Sequence, residues 1–188
     1  MLWRIALDDL VQKCIKGDAR AQQTLFSKYK DKVYSLAYKS LGPFFEIDDI
    51  VQQIFVNIFK SLPSFKGLSS FDTWIYRISA KICIDQLRKK YRKRQIQILH
   101  DSEMAEHNAV DSGDNPHEML ENQELNHQIF QALGQLSPQK RMVVTLYEMD
   151  GKTIEEIAII LKIPAGTVKS RLFHGRNELK QKLRKILK

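Results

Sequence analysis

Apolar residues recur at intervals of three and four along most of the chain, and no run alternates convincingly with period two, so the pattern predicts an all-α protein. In the stretch IDDIVQQIFVNIFKSL, residues Ile50, Val51, Ile54, Phe55, Ile58, Phe59 and Leu62 make one wide apolar stripe. Gln52, Gln53, Val56, Asn57 and Lys60 lie opposite. Asp48 and Asp49 suit the first turn of that helix, where carboxylates accept from free backbone amides. Upstream, RAQQTLFSKYKDKVYSLAYKSLG places Leu25, Tyr29, Val33, Leu36 and Ala37 on one side, and Gly42-Pro43 supplies a stop. Downstream, Pro63 and Gly67 break the chain, and Ser69-Ser70 can cap the next helix.

The C-terminal third has a different layout. Thr153 and Glu156 fit a capping box opening a helix that runs to Leu161, the stretch LKIPAG interrupts it, and a second helix starts near Ala165 and continues to the end. Two helices joined in this way predict a helix-turn-helix with a long final helix. At about 100° per residue, Val168, Leu172, Leu179 and Leu183 share one side with Gly175 among them. The other side presents Gly166, Ser170, Phe173, His174 and Asn177, with Lys169 and Arg171 at its shoulders. Ser, His, Lys and Arg can bond base edges or phosphates in a major groove, and an outward aromatic can touch a thymine methyl. An exposed Phe173 also fits packing on the preceding helix or on a partner protein; the basic shoulders favour DNA.

Charge sharpens this picture. The net charge of +8 points to a polyanionic partner, and its distribution is uneven. Residues 1–95 hold 18 Lys/Arg against 9 Asp/Glu, 96–128 hold none against 8, and 129–188 hold 12 against 5. Two basic blocks thus flank an acidic segment that lacks apolar periodicity in its first half, a flexible linker in which a helix starts from about Pro116. Within the first block, Phe65, Phe71, Trp74 and Tyr76 bracket Lys66, Arg77 and Lys81. Rings interleaved with cations suit unpaired nucleic acid, whose bases stack while cations hold phosphates, although the same rings serve equally well as core. The run RKKYRKR, residues 88–94, fits either phosphate binding or a solvated helix end.

Other classes lose ground. The start of the chain has no long apolar run and reads as no signal peptide, and no stretch approaches a membrane span, so no membrane insertion is expected. Cys14 and Cys83 are too few and too far apart for a disulfide framework and fit packed thiols in a reducing cytoplasm. His100, His107, His117 and His127 lack ligand spacing, so no metal is expected. The absence of a nucleophile elbow, P-loop or Rossmann glycine pattern argues against an enzyme, and no cofactor is expected.

A polar helix face, an aromatic-basic loop, a basic helix end, an acidic linker and a helix-turn-helix follow one another in that order. The chain thereby resembles, over nearly its whole length, a bacterial sigma factor of the sigma-70 superfamily, extracytoplasmic-function (ECF) group. DDIVQQIFVNIFKSLPSFKG matches region 2.2 and SSFDTWIYRISAKICIDQLRKK regions 2.3 and 2.4. LSPQKRMVVTLYEMDGKTIEEIAIIL matches region 4.1 with its continuation, and IPAGTVKSRLFHGRNELKQKL matches region 4.2. The resemblance implies a region 2 domain over 1–95, an acidic linker over 96–128 and a region 4 domain over 129–188. It implies that Asp48, Asp49, Gln52, Gln53 and Asn57 dock on the clamp helices of the largest subunit of core RNA polymerase, with further contact at the flap region.

The same resemblance implies that Phe65, Lys66, Phe71, Trp74, Tyr76, Arg77, Lys81 and Arg88 read a melted −10 element, and that Thr167, Lys169, Ser170, Arg171, Phe173, His174 and Arg176 read a duplex −35 element. Binding the melted strand better than the duplex is a population shift and needs no covalent chemistry. An anti-sigma protein is an expected further partner. Relatives often carry Gln-Glu where Gln52-Gln53 stand, which removes one charge contact from docking, and Asn where Lys81 stands, which leaves the flipped −10 base open; they often carry Arg where Lys169 and His174 stand, which predicts weaker or altered −35 specificity and makes room for an additional recruiting protein. A helix-turn-helix regulator that is not a polymerase subunit accounts for the C-terminal block but leaves the aromatic-basic loop unexplained. A recombinase would need catalytic acids or a nucleophile, and an RNA-binding module would not need a groove-reading helix.

Overall fold

The computed structural model describes the backbone of residues 2–100 and 118–186, and the side chains of 9–96 and 124–185. Among the described residues all regular structure is helical. The order is α1 (Leu2–Ile15), α2 (Ala19–Leu41), α3 (Ile47–Ser61), α4 (Phe71–His100), α5 (Glu118–Gly134), α6 (Pro138–Val144), α7 (Ile154–Leu161) and α8 (Ala165–Ile186). A 3-10 turn at Leu62–Ser64 follows α3, and a π turn at Thr145–Met149 follows α6.

Helix α2 starts where the Asp18 carboxylate accepts from the Arg20 and Ala21 amides at 2.8 and 3.1 Å. It ends at Gly42, whose φ of 76° suits a residue without a side chain. The stripe expected on α3 is buried at Ile50, Val51, Ile54, Phe55 and Ile58, and it packs on Leu25, Tyr29, Val33 and Leu36 of α2 and on α4. These three helices, with α1 alongside, form the first bundle. Ser70 caps α4 as expected, its hydroxyl accepting from the Thr73 amide at 3.1 Å. Helix α4 continues past the basic run to His100, so residues 96–100 are helical and the boundary expected at 95 falls inside it.

The second bundle contains α5 to α8. Helix α5 opens at Glu118, close to the helix start expected near Pro116, whereas residues 101–117 of the expected linker lie outside the described residues. The capping box at Thr153 is complete: its hydroxyl accepts from the Glu156 amide at 3.2 Å, and the Glu156 carboxylate accepts from the Thr153 amide at 2.8 Å. That backbone bond holds the Glu156 carboxyl below its ordinary range. Lys162, in the left-handed region at φ 54°, ends α7 and turns the chain into α8.

Val168 and Leu172 of α8 are buried, and Gly175 allows the helix to approach α6 closely. A Cβ added to Gly175 would sit 2.7 Å from a Val144 methyl carbon. Gly175→Ala is therefore expected to lower stability by about 1–3 kcal/mol, because the overpacking exceeds the roughly 1 kcal/mol of helix propensity gained. Urea unfolding midpoints of the two proteins check it.

The bundles share one hydrophobic core, since α4 packs on both α6 and α7. Both cysteines are free and buried, and burial pushes the Cys83 thiol up to about 12. Among the described residues no helix is long and apolar enough to cross a membrane.

Candidate polymerase and nucleic-acid interfaces

Three polar faces stand on this scaffold. The first is the outer side of α3. Asp48, Asp49, Gln52 and Gln53 are exposed and Asn57 is half-buried, so the stripe opposite the core brings the five expected docking residues onto one surface. Val56, 48% exposed, gives that surface an apolar centre. Gln86 of α4 donates to the Gln53 side chain at 3.0 Å, and Asn57 donates to the Gln53 carbonyl at 2.8 Å, which fixes part of the face in advance.

The second face follows the 3-10 turn. Phe65, Phe71 and Trp74 form a mutual cluster with ring centroids 5.1 to 5.4 Å apart, and Phe71 packs edge-on against Tyr29 at 5.5 Å. Phe71 is 2% exposed and Trp74 9%, so both rings lie in the first bundle's core, with half-buried Phe65 and exposed Lys66 above them. The neighbouring Asp72 carboxylate pairs with Lys32, and burial with the Asp72 charge raises the Tyr29 phenol to about 12. Leu68, at the tip of the turn between Gly67 and Ser69, is 91% exposed; sequence reasoning passed over it, although an apolar residue inside a polar turn was a usable signal.

Further along α4, Tyr76 and Arg77 are half-buried, while Lys81 and Arg88 are exposed. Arg88 pairs with Asp85 at 3.1 Å. Arg77 and Tyr76 do not point to open solvent: Arg77 Nη2 donates to the Ile159 carbonyl of α7 at 3.3 Å, and Lys152 Nζ lies 4.5 Å from the centre of the Tyr76 ring. Burial and the Asp150 charge raise the Tyr76 phenol well above its ordinary value.

The third face is the outer side of α8. Lys169, Ser170, Phe173, His174 and Arg176 are exposed, and Thr167 and Arg171 are half-buried. Phe173 is 63% exposed, and its only ring neighbour among the described residues is His174, edge-on at 5.4 Å. Arg176 pairs with Glu148 and stacks on Tyr147 at 4.8 Å, which ties it to the π turn after α6 and raises its guanidinium pKa, chiefly through the Glu148 bond.

A helix-turn-helix with a polar outer face, on one chain with a second bundle carrying an exposed polar helix beside an aromatic-basic surface, defines a multi-surface DNA-binding transcription factor. Comparison with known proteins makes the class specific. Residues 25–93 match Sigma-70 region 2, and residues 126–179 match Sigma-70, region 4. The chain is 32% identical over 182 residues to the ECF RNA polymerase sigma-E factor of Escherichia coli K12, covering 95% of each protein. It is 34% identical over 180 residues to the ECF RNA polymerase sigma factor SigW of Bacillus subtilis, covering 94% of this chain and 96% of the relative.

Two solved structures share the fold. One is CnrH in complex with the cytosolic domain of CnrY (TM-score 0.60, 20% identity, 92% of this chain and 94% of that one). The other is the sigma factor RpoE in complex with the anti-sigma factor NepR from Bartonella quintana (TM-score 0.59, 23% identity, 86% of this chain and 96% of that one). This protein belongs to the ECF group of the sigma-70 family of RNA polymerase sigma factors. Similarity over 95% of the chain disfavours a regulator that merely shares a helix-turn-helix.

Proposed function

We propose that this alternative sigma factor docks on core RNA polymerase through the α3 face and directs promoter-specific initiation, the first bundle reading a melted −10 strand and α8 reading a duplex −35 element. The observation that carries the reading is the separation of two exposed polar faces, α3 and α8, on successive bundles that match regions 2 and 4 in that order. Asp48, Asp49, Gln52, Gln53 and Asn57 would meet the clamp helices, with Val56 at the centre of the contact. Phe65, Lys66, Phe71, Trp74, Tyr76, Arg77, Lys81 and Arg88 are proposed for the melted strand. The buried Phe71 and Trp74 would then shape a pocket wall, while Phe65 and Leu68 offer the accessible apolar surface.

Thr167, Lys169, Ser170, Arg171, Phe173, His174 and Arg176 are proposed for the duplex. We assign the region 2 domain to 1–95, the acidic linker to 96–128 and the region 4 domain to 129–188. The linker, eight acids without a base, would lie along basic walls of polymerase as a mimic of nucleic acid. The protein works by binding and not by covalent catalysis, in the cytoplasm beside its polymerase. The CnrH and RpoE structures hold partner proteins, CnrY and the anti-sigma factor NepR; an anti-sigma protein is proposed here by that likeness, and a recruiting protein by the missing Arg at 169 and 174.

The test is run-off transcription from sheared genomic DNA of the source organism with its sigma-free core polymerase. Protein-dependent RNA 5′ ends with a shared upstream sequence are expected; core binding without new starts would instead require a recruiter, and no core binding would remove the reading. Asp49→Lys with Gln52→Lys is expected to weaken core binding tenfold or more at a cost of only about 0.3–1 kcal/mol in stability, since both side chains are exposed and the one structural loss is the Asp49 carboxylate in the first turn of α3. Fluorescence titration with labelled protein measures it.

A further inference from the structure

The two bundles meet along a seam, in which Lys39 of α2 donates to the Asp150 carboxylate at 2.7 Å and to the Met149 carbonyl at 2.9 Å, and the Asp150 side chain is only 5% exposed. A cavity of about 620 Å³ also opens where they meet, between the end of α2, the second half of α4, α5 and the start of α6. Its size falls within the roughly 300–1,000 Å³ of small-molecule sites. None of the side chains proposed for polymerase, the melted strand or the duplex lines it.

The charge of the lining is one-sided. Lys90, Lys93 and Arg94 of α4 and Arg141 of α6 stand around the cavity, and among the described residues no acid does. Arg141 is 4% exposed; its Nε donates to the Ser40 carbonyl at 2.6 Å, while its Nη2 has no partner among the described residues. A buried charged donor left unmet is destabilising, and an acceptor on a bound anion would recover that loss. Lys90 and Arg94 reach the Phe44 and Gly134 carbonyls, each at 3.4 Å, which leaves further donors on both. Burial draws the Arg141 guanidinium down to about 10, and desolvation with the Arg141 charge lowers the Lys90 ammonium. Both shifts are those of cations without a counter-charge.

The rest of the wall is rich in rings. Phe44, Phe45 and Tyr91 line the cavity, all three half-buried, and Lys90 Nζ lies 5.1 Å from the Phe44 ring centre and 4.6 Å from that of Phe45. Phe44 also meets His127 edge-on at 5.0 Å, which fixes its ring in place. Cations beside rings suit a ligand that carries phosphate at one end and a planar base at the other. We propose that this cavity binds a nucleoside polyphosphate, its phosphates held by Lys90, Lys93 and Arg94 with the Arg141 guanidinium behind them, and its base against Tyr91 and Phe45. An acidic segment of a partner protein would satisfy the cations but leave the rings unused. The walls come from both bundles, so an occupant stabilises their observed packing by mass action.

The test titrates the full chain with ATP and GTP in magnesium-free buffer by calorimetry, with inorganic pyrophosphate and adenosine as partial probes. One saturable site is expected, and ATP should bind at least tenfold more tightly than pyrophosphate or adenosine. Lys90→Ala with Arg94→Ala should weaken ATP at least tenfold. Both side chains are exposed, so the fold should survive their loss, and far-ultraviolet dichroism checks that it does. Lys28→Ala with Lys30→Ala removes the same charge from exposed positions of α2 outside the cavity and should change ATP affinity less than about twofold. Tyr91→Ala should weaken ATP about fivefold or more and leave pyrophosphate unchanged.

Thermal unfolding gives a second reading. ATP should raise the midpoint of the parent chain and leave that of the Lys90→Ala, Arg94→Ala protein where it was. Three results would each overturn the proposal. Absence of saturable heat at millimolar ATP would mean that there is no site. Equal losses from the two pairs of variants would mean general attraction to a chain of net charge +8. Pyrophosphate binding as tightly as ATP would mean an anion site that takes no base. The faces assigned to polymerase and promoter stand or fall separately, since none of their residues is altered.

Discussion

Phe173→Ala is expected to weaken binding of the holoenzyme to a −35-containing promoter by about 10- to 100-fold while leaving the melting temperature of the free protein within error. The side chain is 63% exposed and touches only His174 among the rings, so its removal takes nothing from the core. Facing a groove, the same ring would lose apolar contact with base methyls, a class of interaction that together with neighbouring base-edge bonds is worth about 1–3 kcal/mol per position. Holoenzyme is the right reagent, because promoter binding is then read with both bundles engaged. The comparison variant is Lys169→Ala. It should reduce affinity for all sequences alike if Lys169 meets a phosphate, with a shallower dependence on salt, whereas Phe173→Ala should alter preference among base pairs at one position and leave the salt slope unchanged. Equal losses on every sequence from both variants would show that Phe173 reads no base.

The sequence pattern announced the helices for a physical reason. A bundle helix must bury one stripe, so Ile50, Val51, Ile54, Phe55 and Ile58 could hardly be arranged otherwise, and the faces left over at Gln52-Gln53 and at Ser170-Phe173-His174 follow by subtraction. The capping box at Thr153 and the stop at Gly42 are equally local, since each is complete within a few residues. Burial of Phe71 and Trp74 was not decidable from the chain alone. Aromatic residues beside cations fit both a core and a stacking platform, and the choice turns on Tyr29, some forty residues earlier, which fills the space against Phe71.

The seam was less visible still. Lys39 and Asp150 are an unremarkable cation and anion more than a hundred positions apart, and Arg141 occupies a basic block where solvent exposure is the ordinary expectation. Nothing periodic marks a charged residue that will be 4% exposed. The length of α4 was hidden for a related reason: a run of six cations in seven residues looks like a helix end, but most of its cations reach water while Lys90 donates to the Phe44 carbonyl and Arg94 to the Gly134 carbonyl, so the repulsion is tolerated and the helix runs on to His100.

Leu172→Ala should show the opposite pattern to its neighbour, a loss of about 2–5 kcal/mol in stability with promoter recognition failing only as a consequence. Leu172 is 5% exposed on the inner side of α8, in the same buried set as Val168 and next to the point where Gly175 meets Val144. Truncating a buried leucine removes its transfer free energy and leaves a cavity that neighbours fill only in part. The close approach of α8 to α6 at Gly175 limits that filling, because moving the helix inward would press the glycine backbone harder onto Val144. The cost should therefore lie toward the upper part of the range.

Urea unfolding followed by far-ultraviolet dichroism measures it, and the seam adds a second signature. If the second bundle is loosened while the first stays folded, a single transition in the parent chain should separate into two in Leu172→Ala, with the α3 face still binding core polymerase across the first transition. A loss below about 1 kcal/mol would mean that α8 is held mainly by its ion pairs, Lys140 with Glu178 and Arg176 with Glu148, and not by its apolar side. Surface pairs of that kind contribute little individually, which is why adjacent residues on opposite sides of one helix are expected to divide so cleanly: Leu172 sets where the helix lies, and Phe173 what it reads.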